Sequence, residues 1–333
     1  MKIEIKEQVI FMKNILIIHT GGTISMLEDK ETGEVNTADI HPLSALGSQL
    51  GHYATIDEKI VFELPSPQIT PVHMLELAKK IIEFIPNYDG IVVTHGTDTL
   101  EETAYFLDVV LEIDKPVIVT GAMRSSNEIG SDALYNLISS IRVASDEDAA
   151  RQGVLVVMND EIHAAKNVTK TSTSNVATFQ SPQFGPIGLI TKDSILFHRR
   201  IRTRRVQPVQ TISKKVFLLK AFAGMDEQFL QSIRLAKPDG LVIEGLGQGN
   251  LPKDTIKPIQ QLIEDNIPVV LVSRCYQGVV QPTYGYDGGG KQLKQLGVIF
   301  ARGLSGPKAR IRLLIALEKT SNYNHLKELF ETL

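Results

Sequence analysis

Short aliphatic runs recur along the chain, separated by stretches with the period of a helix. Residues 15–18, 60–64, 91–93, 116–120 and 153–158 are the runs of the first half. Runs that are apolar throughout and rich in β-branched residues read as strands covered on both faces. Between them, Met74, Leu77, Ala78, Ile81, Ile82 and Ile85 form one buried stripe, opened by Thr70 as cap and Pro71 at the first helical position. Leu100, Ala104, Leu107 and Leu111 form another, and Asp98 with Glu101 three residues later is a capping-box pattern at its start. A third helix is expected around residues 132–143.

Near residue 200 the pattern breaks. Arg199, Arg200, Arg202, Arg204, Arg205, Lys214 and Lys215 crowd a weakly apolar stretch, read as a solvated linker. Alternation then resumes, with strands at 216–221, 240–244, 268–272 and 298–300, and helices at 226–236, 253–265 and 307–318. Strands joined by helical connections imply right-handed parallel units in both halves. The expected fold is α/β: a larger N-terminal domain (1–205) with a mainly parallel sheet flanked by helices, and a smaller C-terminal α/β domain (214–333).

Composition narrows the possible partners. With 333 residues there is ample chain for two cores. A net charge of −3 gives no reason to expect nucleic acid or an anionic membrane as partner. A single cysteine, Cys275, excludes an intrachain disulfide and suits a reducing compartment; nothing marks it as a reactive thiol. No apolar run approaches the roughly 18 residues that span a bilayer, and residues 1–7 alternate apolar and charged rather than forming a signal core. The expected location is the cytoplasm, with residues 1–11 as a short extension before Met12.

The candidate chemistry sits where strands hand over to turns. Thr20-Gly21-Gly22-Thr23 follows the first strand, and His95-Gly96-Thr97-Asp98 follows the strand at 91–93. In an open parallel sheet, ligands bind outside the carboxyl ends of the strands. Both hydroxyl-bearing turns lie at such ends. The glycine pair lacks the G-x-G-x-x-G pattern and the Gly-Lys-Thr of a phosphate loop, which argues against a nucleotide. No His, Cys or carboxylate cluster has metal-ligand spacing, so neither metal nor cofactor is expected. His95 reads as a packed, hydrogen-bonded histidine. The polar segment 25–40 is long for a structureless loop, which favours a functional or mobile role.

Thr20-Gly-Gly-Thr23-Ile24 and Thr94-His-Gly-Thr97-Asp98-Thr99-Leu-Glu-Glu-Thr103 resemble the two signature motifs of the L-asparaginase/glutaminase family. Gly121-Ala-Met-Arg124, Gly153-Val-Leu-Val-Val-Met-Asn-Asp160, Val168-Thr-Lys170-Thr, Gly247-Gln-Gly-Asn250 and Lys308-Ala-Arg310 extend the resemblance over about residues 13–320. It implies a larger N-terminal and a smaller C-terminal domain, assembled as a homotetramer whose sites are shared between subunits. It also implies L-asparagine as substrate, hydrolysed to aspartate and ammonia through an acyl-threonine.

Carried over residue by residue, the resemblance makes Thr23 the nucleophile and puts Thr97, Asp98 and Lys170 in the catalytic set. Gly22 and Gly96, in the same two turns, are counted among the substrate-binding residues. Ser66 falls where the family binds the substrate's α-carboxylate, followed here by Pro67 where many relatives carry a polar contact. Asn250 and Asp287 resemble groups lent by a neighbouring subunit. A threonine hydroxyl needs a base, and lysine serves only without its proton. Asp98 would oppose that loss, so its expected task is orienting Thr97 and Lys170 or gripping the substrate's α-amino group. Backbone N–H groups of the turns could stabilise the oxyanion.

One departure concerns the segment 24–40, which contains no tyrosine although many relatives place one there. Tyr284 and Tyr286 are the candidate replacements. Rival readings are a glutamine-preferring or mixed amidohydrolase, the asparaginase-like component of a tRNA-dependent amidotransferase, and a non-catalytic amino-acid-binding protein. The amidotransferase component is expected to carry an extra N-terminal domain that eleven residues before Met12 do not supply.

Overall fold

The structure, a computed structural model, describes residues 12–29, 32–37, 50–201 and 204–331. The expected extension at residues 1–11 and Arg202 of the basic run lie outside the described residues, as do parts of the segment 25–40.

The larger sheet takes its centre from the aliphatic runs. Strand β1 (Asn14–His19) lies between β4 (Thr55–Ile60) and β5 (Gly90–Thr94); β6 (Val117–Thr120) and β7 (Val154–Met158) continue beyond β5. All of these pairings are parallel. Side chains alternate between two cores. Leu16, Ile18, Ile91, Val93, Val117 and Val119 face helices α1 (Pro71–Phe84) and α2 (Leu100–Val110). Ile15, Ile17, Val92, Ile118, Leu155 and Val157 face α3 (Ala133–Ser145).

The structure corrects the sequence reading at one strand and adds antiparallel strands to it. The run at 60–64 is not a strand. Pairing falls instead on β4, whose Asp57, Glu58 and Lys59 are exposed because it is the sheet edge. An edge strand covers little apolar surface, so its residues carry no aliphatic signature. Next, β7 turns back through Asn159 (φ 50°) and Asp160 (φ 62°) into antiparallel β8 (Glu161–Ala164). Two consecutive left-handed residues make the turn that matches strand twist. Antiparallel β11 (Gly188–Ile190) and β12 (Ile195–Phe197) then close that side. Within the segment 25–40, β2 (Met26–Glu28) and β3 (Val35–Thr37) pair as a hairpin.

The basic run is not a solvated linker throughout. The Arg204 side chain is only 16% exposed: Nε lies 3.0 Å from Asp108 Oδ1, and Nη2 donates to the carbonyls of Asp108 and Leu111 at 2.8 and 3.1 Å. A buried carboxylate needs its charge compensated, and the linker supplies the cation.

The smaller sheet is parallel, in the order β13 (Val216–Lys220), β14 (Gly240–Gly245), β15 (Val269–Ser273), β16 (Ile299–Phe300). Helices α4 (Glu227–Leu235), α5 (Ile256–Glu264) and α6 (Gly290–Leu296) accompany it. Helix α7 (Gly306–Leu317) is buried nearly all round, packing on β13 and β14 with one flank and on α2 with the other. Its Ile311, Leu314 and Ile315 join the core that α2 shares with the large sheet. Helix α8 (Tyr323–Glu331) packs against β16. The short helices α6 and α8 are not among the elements expected from the sequence.

Candidate active site

Sheet order decides where the site lies. From β1 the chain moves out to β4, then returns to the other side of β1 as β5 and continues away to β6. The carboxyl ends of β1 and β5 therefore flank a switch point, the crevice where open α/β sheets bind ligands. His19 is paired with Thr94 in register, and just beyond them Thr20 N–H and Oγ1–H both donate to the Thr94 carbonyl, at 3.1 and 2.9 Å.

Two glycines close the crevice. Gly21 (φ 96°) and Gly22 (φ 89°) hold a backbone region that side chains rarely adopt. A β-carbon on Gly22 would overlap the Cα and N of Gly96, and one on Gly96 would lie 2.7 Å from Ser66 Cβ. Gly22, Gly96 and Ser66 are thus stacked in contact. Thr23, half-buried at the head of a 3-10 turn (Thr23–Ser25), and Thr97, buried, follow these glycines. Ser126 Oγ–H donates to the Ile24 carbonyl at 2.9 Å and holds the Thr23 turn from the segment after β6.

The second turn carries the polar relay. Lys170 Nζ, on the short strand β9 (Thr169–Lys170) that pairs antiparallel with β10 (Phe179–Gln180), lies 3.0 Å from Thr97 Oγ1 and 2.7 Å from Asp98 Oδ1. The lysine side chain is 17% exposed and the aspartate 59%. Asp98 does not cap α2: Thr99 is the N-cap, without a side-chain bond. The carboxylate is drawn to the ammonium instead, a charge-assisted contact stronger than a cap bond. Asp98 N–H donates to Ser66 Oγ at 3.1 Å, and Thr99 Oγ1–H donates to the Ser66 carbonyl at 2.8 Å. Ser66 therefore accepts through its oxygen and keeps its own hydroxyl proton to donate. A capping box does form at α1, where Thr70 pairs with His73 in place of the usual acidic residue.

Beneath Thr97, His95 is fully buried. Its Nδ1–H donates to the Gly96 carbonyl at 2.7 Å, so Nε2 accepts from Thr103 Oγ1–H at 2.9 Å. Burial pushes the imidazole down to about 4, against the raising effect of the Gly96 carbonyl. It is a neutral brace for the Gly96 turn, as the sequence suggested.

The single chain does not gather every predicted residue. Asn250 Oδ1 accepts from Gly290 N–H at 3.1 Å within its own domain, and Asp287 is exposed. Tyr284 and Tyr286 are 43% and 55% exposed, with ring centroids 5.6 Å apart, packed on each other. Among the described residues no group of His, Cys, Asp and Glu has the placement to hold a metal. A cavity of about 250 Å³ runs between the domains behind Lys170, walled by Glu101, Ser273, Arg274, Cys275 and Lys308. Lys170 is itself in its walls, whereas Thr23, Thr97 and Asp98 are not.

Both halves of the chain match family models: Asparaginase, N-terminal, over residues 14–203, and Glutaminase/Asparaginase C-terminal domain over residues 215–330. The chain belongs to the asparaginase family. It is accordingly an amidohydrolase. It is 37% identical to a probable L-asparaginase of Deinococcus radiodurans, over 96% of this chain and 97% of that one. It is 35% identical to an L-asparaginase of Bacillus licheniformis, over 92% and 95%. The crystal structure of a probable cytoplasmic L-asparaginase from Campylobacter jejuni superposes with a TM-score of 0.85 at 32% identity, over 96% of this chain and all of that one. Not every relative is named for asparagine alone: one is a glutaminase-asparaginase of Pseudomonas fluorescens (29% identical; 96% and 90% covered).

Two residues of the site, Glu101 and Lys308, are not among those expected from the sequence. Glu101 fits half of a capping box by spacing, yet its Oε1 accepts from Thr169 Oγ1–H at 3.0 Å, and its Oε2 stands 3.7 Å from Lys308 Nζ. The Lys308-Ala-Arg310 motif is the available signal, but nothing local shows what a lysine in a buried helix reaches.

Proposed function

We propose that the protein hydrolyses L-asparagine to L-aspartate and ammonia through an acyl-threonine formed on Thr23. The observation that carries this is Lys170 Nζ, held by both Thr97 Oγ1 and Asp98 Oδ1 where Gly22 and Gly96 join the two threonine turns. Thr23 Oγ attacks the carboxamide carbon, and its proton passes toward the Thr97–Lys170 pair. The oxyanion is met by the N–H groups of the turns; Asp98 N–H is already committed to Ser66, which leaves those of Thr23 and Thr97. As the tetrahedral intermediate collapses, the amide nitrogen takes that proton back from the relay and leaves as ammonia. Water then cleaves the ester by the reverse path. Ser66 Oγ–H is aimed at the α-carboxylate and Asp98 at the α-amino group.

A second assignment has a specific observation behind it. Thr97, not Thr23, is the hydroxyl in contact with an amine, and with Lys170 unprotonated the same 3.0 Å contact runs from hydroxyl to nitrogen. In that case Thr97 is the nucleophile and Thr23 the partner. Intact-mass trapping with a slow ester or amide analogue separates the two: acylation surviving in Thr23→Ala and lost in Thr97→Val assigns the bond to Thr97.

Specificity and assembly belong to the same proposal. Asparagine is favoured over glutamine, since a site fitted to one side-chain length rejects a methylene by roughly 1–3 kcal/mol. The active unit is a homo-oligomer, a tetramer, in which Asn250 and Asp287 of one subunit complete a neighbour's crevice. We place the protein in the cytoplasm, on its single free exposed cysteine and the cytoplasmic structural relative; no described helix is long and apolar enough to cross a membrane. The domain boundary is proposed between residues 205 and 214. Ammonia release measured with asparagine and glutamine side by side tests the reading. Equal specificity constants make it a mixed glutaminase-asparaginase, and no release from either amide sinks it in favour of a binding protein.

A further inference from the structure

The Lys170 relay is anchored from the other domain. Lys308, in the first turn of α7, is 1% exposed. Its Nζ donates to the carbonyls of Val168 and, at 3.3 Å, Lys166, and stands 3.7 Å from Glu101 Oε2. Through its other oxygen Glu101 takes the Thr169 hydroxyl at 3.0 Å and, at 3.5 Å, the Lys170 N–H. Val168, Thr169 and Lys170 are therefore held from both sides, by a carboxylate of α2 and an ammonium of α7.

An apolar side chain would fill this position in a buried helix at lower cost, because taking an ammonium out of water is expensive. Burial does push the Lys308 amine down to about 8, with the carboxylates of Glu101, Asp108 and Glu102 opposing the shift. Two residues further along α7, Arg310 makes an ordinary domain contact: 3.8 Å to Glu102 Oε2 and 3.1 Å to the Val216 carbonyl, touching none of residues 166–170. Of these two cations, Lys308 is the one aimed at the segment that ends in Lys170.

We propose that Glu101 and Lys308 are positioning residues for the reaction, through which the small domain fixes the Val168–Lys170 segment and so sets the approach of Lys170 Nζ to Thr97 Oγ1. This rests on the reading that Lys170 works on a threonine hydroxyl. Neither residue touches the reacting atoms. Each acts through where it holds the lysine, so loss of either lowers turnover and leaves substrate capture, which belongs to Ser66 and Asp98, nearly intact.

The test is ammonia release from L-asparagine by the full-length protein, with kcat and KM separated, for wild type, Lys308→Met, Thr169→Val, their double variant, and Arg310→Met as a control at the same interface. Thermal unfolding and oligomer mass are recorded for each. In Lys308→Met and Thr169→Val, kcat is expected to fall by about 10- to 100-fold, the scale of a misplaced catalytic group. KM is expected to stay within about twofold of wild type, and Arg310→Met to keep wild-type kcat. The double variant should fall no further than the worse single, because both act through one segment. If Lys308→Met does not fold, Thr169→Val decides by the same criterion. Wild-type kcat in a folded Lys308→Met, or an equal loss in Arg310→Met, overturns the positioning role. No turnover by the wild type overturns the hydrolase reading itself, and this inference with it.

Discussion

Gly22 and Gly96 touch backbone to backbone, 74 residues apart in sequence, so closely that a β-carbon on Gly22 would overlap the Gly96 Cα. Each glycine is followed by a threonine, and the contact makes the two threonine turns into one crevice. Gly22→Ala must also hold φ near 89°, where a side chain is strained. The variant is expected to lose at least about tenfold in kcat/KM, the scale of an ångström-level misplacement, while the distant small domain stays folded. Wild-type kcat/KM in that variant would show the crevice to be incidental.

Lys170→Met removes the amine that lies 3.0 Å from Thr97 Oγ1. Loss of a proton-transfer group typically costs about 10²-fold or more, and that drop is expected in kcat with the fold unchanged. Stopped assays of ammonia across pH check it. Retention of the wild-type pH–rate profile in Lys170→Met would make the lysine a bystander.

Arg204→Ala removes from buried Asp108 the guanidinium bonded to it, leaving the more distant Lys166 charge, while its second role, accepting Val154 N–H at 3.0 Å, continues. Burial raises this carboxyl and Arg204 counters it. Breaking such a pair typically costs about 3–5 kcal/mol, so a marked fall in the chemical-denaturation midpoint is expected. Arg204→Ala/Asp108→Asn should recover part of that loss, as the remaining group is no longer charged. A midpoint unchanged in Arg204→Ala would return the segment to a solvated linker.

His95 sets an acid limit on stability. Its folded value of about 4 lies below the ordinary 6.5, so the unfolded chain binds the extra proton between those pH values. The contribution is fully present above pH 6.5 and is lost progressively as pH falls toward 4. On this shift it amounts to about 3 kcal/mol. Denaturation midpoints measured from about pH 7.5 down to about pH 4.5 should decline less steeply in His95→Gln than in wild type. Parallel curves for the two proteins would remove His95 from the acid response.

Mixing tests the sharing of sites. Inactive Thr23→Ala subunits and Asp287→Ala subunits, exchanged under mild conditions, are expected to regain activity, because some mixed interfaces pair an intact threonine with an intact aspartate. Asp287 is exposed in the single chain, so its removal leaves the subunit fold in place. Confirmed exchange by native mass without returning activity would mean that each chain builds its own site.

What could be read directly from the chain was local. The aliphatic runs that became β1, β5, β6 and β7 declared themselves because a strand buried on both faces must be apolar at every position. Thr70 and Pro71 marked a helix start because the atoms that cap a helix lie within four residues of it. The Gly-Gly-Thr and Gly-Thr-Asp turns were legible for the same reason. Their glycines answer to backbone geometry at one point. The Asn159-Asp160 turn carries a local signal too, since both residue types tolerate a left-handed backbone.

Tertiary structure decided whatever depends on a partner far along the chain. Edge strand β4 is polar because it has a neighbour on one side only, a fact that no window of sequence contains. Asp98 and Glu101 fit a capping box by spacing, yet Lys170, 72 residues beyond Asp98, and Lys308 on the other domain draw them elsewhere. A cap bond and an ion pair compete for the same carboxylate, and the stronger contact forms only once folding has brought the cation within reach. The sequence therefore named the chemical groups, whereas the packing of α7 against α2 determined which of them meet.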